Sequence, residues 1–301
     1  MASSGGFASS GTMVGHRMSA VVNRQAVPTS VPATVIPIHE PSTHCASCSV
    51  RELCLPVGLE PEAVRQLDKI ISNRTRVRKR ESLYRPGDLF HAVYAIRLGT
   101  FKTILLAEDG REQITGYHMA GDVVGLDGIS NNRHACQAVA LEDSEVCVLP
   151  FNELDDLAHD IPLLRHNLYR FISKDVCRDQ DMMLLLGSRC AEERLALFLL
   201  DVAERYRRRG YSASEFVLRM TREEIASYLG LKLETVSRLF SHCHEIGVLQ
   251  VQGRAVKLLD LATLKKLAGR GRWLRARGAS TQTSFRPGPL QSAAAPSSRS
   301  A

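Results

Sequence analysis

Long apolar runs are missing from this chain of 301 residues. The strongest, Met182 to Leu186 and Leu195 to Leu200, fall well short of the roughly 20 residues that a membrane-spanning helix needs. The first forty residues hold no sustained apolar segment of the secretory kind either, so a soluble, cytoplasmic protein is expected. Transit peptides share the Ser-rich, acid-poor character of this N-terminus, but with only Arg17 and Arg24 a transit peptide is the minor alternative. Also missing is a glycine-rich nucleotide cradle of the GxGxxG or GxxxxGK type, and no second cysteine set follows that could form an electron relay. An enzyme, whether nucleotide-dependent or redox, is therefore not expected. Finally, eight dispersed or clustered cysteines do not make a disulfide framework in a cytosolic protein of this size.

What is present is ordinary globular composition, 44% hydrophobic and 24% charged, in a chain long enough for two compact domains with tails. Residues 1–43 are rich in Ser, Ala, Gly, Pro and Val, with Pro28, Pro32, Pro37 and Pro41 excluding a long helix, and read as a disordered arm. Residues 271–301 read as a second disordered tail. The net charge of +7 is concentrated: Arg219 to Arg277 holds 12 Lys or Arg against five acids, 12 − 5 = 7, so the rest of the chain is neutral on balance. Such a C-terminal field attracts phosphate polyanions.

From Ser82 to Pro150, short β-prone stretches such as Val93 to Ile96 and Thr103 to Leu105 alternate with turn signals, among them Arg85-Pro86-Gly87-Asp88 and Glu108-Asp109-Gly110. That spacing predicts a small antiparallel sandwich or roll. A helical pattern follows from Phe151, interrupted at Pro162. Within it Leu168, Ile172, Val176, Asp179, Met183, Leu186 and Cys190 recur at the spacing of a coiled-coil seam, which calls for a partner helix, a homodimer being the expectation and packing on the roll of its own chain the alternative. Asp179 is out of place on an apolar stripe, because in a symmetric dimer it would lie near its own copy.

After Gly210, Thr221 with Glu224 makes a capping box, Ile225, Ala226 and Leu229 a buried side, and Gly230 a sharp break. A second helix carries Val236, Leu239 and Phe240 inward. This is a helix-turn-helix. Glu234, Ser237 and Arg238 share the opposite face, and their side chains can read base edges in the major groove of double-stranded DNA. Gly247 to Leu258 reads as a two-stranded wing with Arg254 and Lys257 placed for phosphates.

Cys45, Cys48 and Cys54 stand at Cys-x2-Cys-x5-Cys. Closely spaced thiolates on a flexible stretch suit a soft metal centre, either zinc, for which His44 could complete a Cys3His set, or an iron-sulfur cluster, and unligated cysteines are the third reading of the spacing.

From Cys45 to about Gly269 the chain resembles the fumarate and nitrate reduction (FNR) regulators, a branch of the cyclic-AMP receptor protein (CRP) superfamily. The residues concerned are the three cysteines followed by Leu55-Pro56, Gln113-Ile114-Thr115-Gly116, and Val146-Cys147 ahead of Pro150-Phe151. They continue with Asp179-Gln180-Asp181-Met182, Ala191-Glu192-Glu193-Arg194-Leu195 and Glu234-Thr235-Val236-Ser237-Arg238-Leu239. The resemblance implies an α+β protein with an N-terminal antiparallel β-roll of the cyclic-nucleotide-binding, jelly-roll type, a long dimerisation helix and a C-terminal winged helix-turn-helix. The boundaries expected are 44–150 for the cysteine segment and roll, 151–190 for the dimerisation helix and 191–270 for the DNA-binding domain. It further implies a 4Fe-4S cluster on Cys45, Cys48, Cys54 and Cys147, an inverted-repeat operator with TTGAT half-sites, contact with RNA polymerase, and an acid at Asp179 that keeps the cluster-free protein monomeric. Zinc or thiol-based redox sensing in a constitutive dimer is the alternative. Cys136, Cys177, Cys190 and Cys243 are expected to be ordinary small apolar residues. The Gly-Glu and Arg-Ser pairs that anchor ribose and phosphate in nucleotide-binding relatives are replaced by Gly125-Leu126 and His134-Ala135, so no cyclic nucleotide is expected.

Overall fold

The computed structural model describes residues 44–71 and 73–269. The expected N-terminal arm and C-terminal tail, 1–43 and 271–301, lie outside the described residues, as does part of the basic C-terminal window. The cysteine stretch forms two short 3-10 turns, Cys45–Ser47 and Arg51–Leu53, and leads into α1 (Pro61–Ile70). Eight strands follow: β1 (Asn73–Val77), β2 (Ser82–Tyr84), β3 (Ala92–Leu98), β4 (Thr100–Leu106), β5 (Glu112–Met119), β6 (Val123–Val124), β7 (Gln137–Ala140) and β8 (Ser144–Pro150). They build two antiparallel four-stranded sheets in the orders β1-β8-β3-β6 and β2-β7-β4-β5.

Alternation along the strands sorts the side chains. Ile96 and Val146 point between the sheets, where they meet Phe101, Val124 and Ala138. Their neighbours Ala95 and Cys147 point to the other face of the first sheet, where Leu55, Leu67, Leu154, Leu164 and Leu168 cover them. Period two thus sends Cys147 toward the cysteine stretch while Val146 stays in the sandwich.

Two helices come next, α2 (Phe151–Asp160) and α3 (Pro162–Ser188), with Pro162 at the first turn of α3, where its missing N–H costs nothing. Arg189 is extended and Cys190 caps α4 (Ala191–Arg208), so the seam spacing ends before Cys190. Leu168 is buried against the roll of its own chain, which corrects its place on an open stripe. Cys177 and Cys190 are exposed rather than ordinary core residues, whereas Cys136 and Cys243 are buried.

The last part holds β9 (Glu215–Val217), α5 (Arg222–Leu229), α6 (Leu233–Glu245), β10 (Leu249–Gln252), β11 (Ala255–Leu258) and α7 (Leu261–Leu267), with a sheet in the order β10-β11-β9. The expected local signals are in place. Thr221 Oγ1 accepts from Glu224 N at 3.1 Å while Glu224 Oε2 accepts from Thr221 N at 2.7 Å, and Gly230 ends α5 in the left-handed region at φ 61°. A cap of this kind contributes about 1 kcal/mol.

Ion pairs on the buried carboxylate of Asp122 tie the roll to the helices. Asp122, in the turn before β6, meets Lys174 of α3 at 2.8 Å, Arg209 beyond α4 at 3.2 Å and Arg205 of α4 at 3.8 Å. Burial alone would raise its carboxyl, but these cations hold it well below the usual carboxylate range. Helix α5 lies along β5: Ser227 Oγ accepts from Ile114 N at 3.1 Å, and Glu224 pairs with Lys102 Nζ at 2.7 Å.

Candidate metal centre and nucleic-acid interface

Cys45, Cys48, Cys54 and Cys147 line one cleft, together with Arg51, Leu55, Pro56, Leu67, Ala95, Arg97 and Leu149. Three of the thiols arrive on the local turns, and the fourth arrives through the ladder, where Cys147 faces Arg74 of β1 on one side and Ala95 of β3 on the other. The surroundings favour protonated thiols in the metal-free chain. Burial, with Asp68 beside it, pushes Cys45 up to about 12, and burial likewise raises Cys54. Cys147 is raised by burial too, although Arg74 partly offsets this.

Arginines border the cleft. Among the described residues, Arg51 Nε and Arg74 Nε are buried side-chain nitrogens with no hydrogen-bond partner, a state that costs about 1 to 3 kcal/mol for each donor. Thiolates and sulfides would accept from them, and four thiols are the donor set of a 4Fe-4S cluster. The residues present fit that group. His44 points elsewhere, its Nδ1 lying 2.5 Å from Asp68 Oδ2, and Asp68 Oδ1 also accepts from Cys45 N at 3.1 Å. No set of three His, Cys, Asp or Glu side chains among the described residues is gathered around a single-ion position.

Arg51, Arg74 and Asp68 were not singled out from the sequence. An arginine on an edge strand gives no local signal, and only the β1–β8 register brings Arg74 to Cys147.

At the other end, Glu234, Ser237 and Arg238 are all exposed on one face of α6, and Val236 and Phe240 are buried on the other. The wing forms as β10 and β11 with Gly253 at φ 60° in its tight turn. Arg254 and Lys257 are exposed there; Arg254 Nη1 donates to Arg219 O at 3.3 Å, and Lys257 Nζ lies 3.6 Å from Glu215.

On α3 the residues of the expected seam divide. Val176, Asp179 and Met183 are open, Val176 at 50% and Met183 at 66% exposure. Ile172 is half-buried against the roll core, and Leu186 is half-buried against the helix-turn-helix, close to Gly230. In the roll, the carboxylate of Asp127 accepts from Ala135 N at 2.8 Å and Cys136 N at 3.2 Å, and lies 3.3 Å from His134 Nδ1. No helix among the described residues is long and apolar enough to cross a membrane.

Comparison with known proteins agrees with this geometry. Residues 74–160 match the cyclic nucleotide-binding domain and residues 193–267 the Crp-like helix-turn-helix domain. The chain is 44% identical over 234 residues to the transcriptional regulatory protein btr of Bordetella pertussis, covering 78% of this chain and 97% of that protein. It is 45% identical over 226 residues to the fumarate and nitrate reduction regulatory protein of Yersinia pestis, covering 75% and 90%. With the transcriptional activator protein anr of Pseudomonas aeruginosa it shares 43% over 229 residues, covering 76% and 94%. Among solved structures, FixK2 from Bradyrhizobium japonicum superposes with a TM-score of 0.61 at 33% identity, over 66% of this chain and 98% of that one. A roll, a connecting helix and a helix-turn-helix, shared with relatives that are transcription regulators, make this chain a transcription regulator, and it belongs to the FNR branch of the CRP/FNR family.

Proposed function

We propose that the protein is a cytoplasmic, oxygen-responsive transcription regulator whose Cys45, Cys48, Cys54 and Cys147 hold a 4Fe-4S cluster, and whose homodimer binds an inverted-repeat operator with TTGAT half-sites. The observation that carries this reading is the convergence of four thiols from two distant stretches on one cleft, beside two buried arginine nitrogens that lack partners. The names of relatives at about 45% identity, among them anaerobic regulatory proteins, support the oxygen response.

When bound, the cluster would supply an oxygen-labile centre. The protein's own residues do the rest. Cys45, Cys48, Cys54 and Cys147 would hold the cluster as thiolates, and the Nε–H groups of Arg51 and Arg74 would be available to the anionic sulfur. On α3, Val176 and Met183 offer apolar surface to a second copy, while the Asp179 carboxylates of the two copies repel. Pairing therefore needs a bias from the cysteine segment. Without it the subunits part, and a single helix-turn-helix holds a half-site too weakly. Glu234, Ser237 and Arg238 read base edges, and Arg254 and Lys257 meet phosphates. Contact with RNA polymerase belongs to the same reading. That no cyclic nucleotide is involved is supported by Asp127, whose carboxylate already takes the backbone donors of Ala135 and Cys136.

The test is metal analysis of anaerobically purified protein with operator binding before and after air. Iron with acid-labile sulfide, and binding that disappears in air, is the expected result. Stoichiometric zinc with binding indifferent to oxygen would overturn it in favour of a constitutive dimer.

A further inference from the structure

Asn167 lies in the second turn of α3 and is 2% exposed. Its carboxamide nitrogen donates to Leu55 O at 2.9 Å and to Val57 O at 2.9 Å. Both partners are carbonyls, so both N–H groups of the amide are spent on the chain just after Cys54. The turn's own backbone bonds, Val57 N to Cys54 O and Leu59 N to Pro56 O, use the carbonyls of Cys54 and Pro56. Those of Leu55 and Val57 fall to Asn167. Leu55 is itself buried in one core with Leu164 and Leu168 of α3, so the contact is polar at its centre and apolar around it.

From this geometry we infer that Asn167 is the positioning residue through which the cysteine segment sets α3, an inference that rests on the proposed role of that segment in holding a cluster. The mechanical basis is simple. α3 is one helix from Pro162 to Ser188, so a shift or rotation imposed at Asn167 is carried about 18 Å, at 1.5 Å per residue, to Asp179. A buried two-point hydrogen bond resists both sliding and rotation, which apolar packing alone does not. When the ligating turn moves, the carbonyls of Leu55 and Val57 must either carry Asn167 with them or be left buried and unpaired.

The experiment compares Asn167→Leu and Asn167→Gln with the unsubstituted chain. In the metal-free state, hydrogen exchange of residues 54–59 is expected to be at least tenfold faster in Asn167→Leu. In the anaerobic state, the ratio of the dimer dissociation constants without and with cluster, measured by sedimentation, is expected to fall at least tenfold in that variant, with iron, sulfide and the visible spectrum unchanged. Asn167→Gln keeps two N–H donors and should restore most of the ratio. Thermal melting of the metal-free variants reports on folding; if Asn167→Leu does not fold, Asn167→Asp, of equal size but with acceptors in place of donors, takes its place with the same expectation. Unaltered exchange at 54–59, or a fully loaded variant that keeps the unsubstituted ratio, would overturn the inference. If the unsubstituted chain takes up no cluster, the functional reading fails, while the exchange result still decides whether Asn167 tethers the turn.

Discussion

Cys147 and Cys136 are both buried, yet only Cys147 lines the cleft, because Cys136 hydrogen-bonds to Asp127 at 3.4 Å in the roll. Cys147→Ser is expected to abolish iron and sulfide uptake and anaerobic operator binding, and Cys136→Ser to leave uptake intact; retention by the first with loss by the second would reassign the fourth ligand. A second expectation concerns the metal-free thiols. With Cys45 pushed up to about 12 by burial and by Asp68, its thiolate fraction at pH 8 is on the order of a thousandfold below that of an ordinary thiol. Iodoacetamide should therefore modify exposed Cys177 at least tenfold faster than Cys45, as read by mass spectrometry. The rate at Cys45 should keep climbing above pH 10. Because the folded chain holds this proton more tightly than the unfolded one, the associated stability is intact below pH 9 and is lost as pH rises toward 12. A Cys45 that reacts as fast as Cys177 would mean that the turn is open in solution.

α3 shows how far a pattern can be read from residues alone. Its spacing implied a single apolar stripe, but Leu168 and Leu186, drawn from the same periodicity, are packed against their own chain. Periodicity identifies a face without saying what covers it, since a helix can serve a core at both ends and a partner only in its middle. Val176, Asp179 and Met183 form that open middle. Asp179→Ala should consequently dimerise and bind operator in air, even without cluster, with sedimentation and gel shift as the measurements; a monomeric, inactive variant would remove the acid from the switch. Where signals are local, the sequence was sufficient: the Thr221–Glu224 box and the Gly230 break sit within one turn of what they terminate. The partners it could not show are distant ones. Asn167 meets Leu55 across 112 residues and Lys102 meets Glu224 across 122, and each depends on a register that no local pattern encodes.

For the molecule as a whole, two-fold symmetry would turn one reading face into two. Half-site centres about 34 Å apart would then be required, one turn of B-DNA. Arg238→Ala should cost about 1 to 3 kcal/mol at one base position of each half-site and little elsewhere. Binding measured on a set of single-base operator variants checks this; uniform weakening across the set would make Arg238 a phosphate contact. The position of α5 against the roll has one more consequence. β5 ends its sheet, and Ser227 of α5 takes one of the backbone donors on that edge, at Ile114. The helix that belongs to the reader is thus also a guard over an open strand edge, of the kind that otherwise recruits strands from neighbouring chains. A chain ending before Ala191 should keep its roll but self-associate at concentrations where the full chain does not, and light scattering would register the difference. Loss of the DNA-binding domain would then be felt first as stickiness rather than as unfolding.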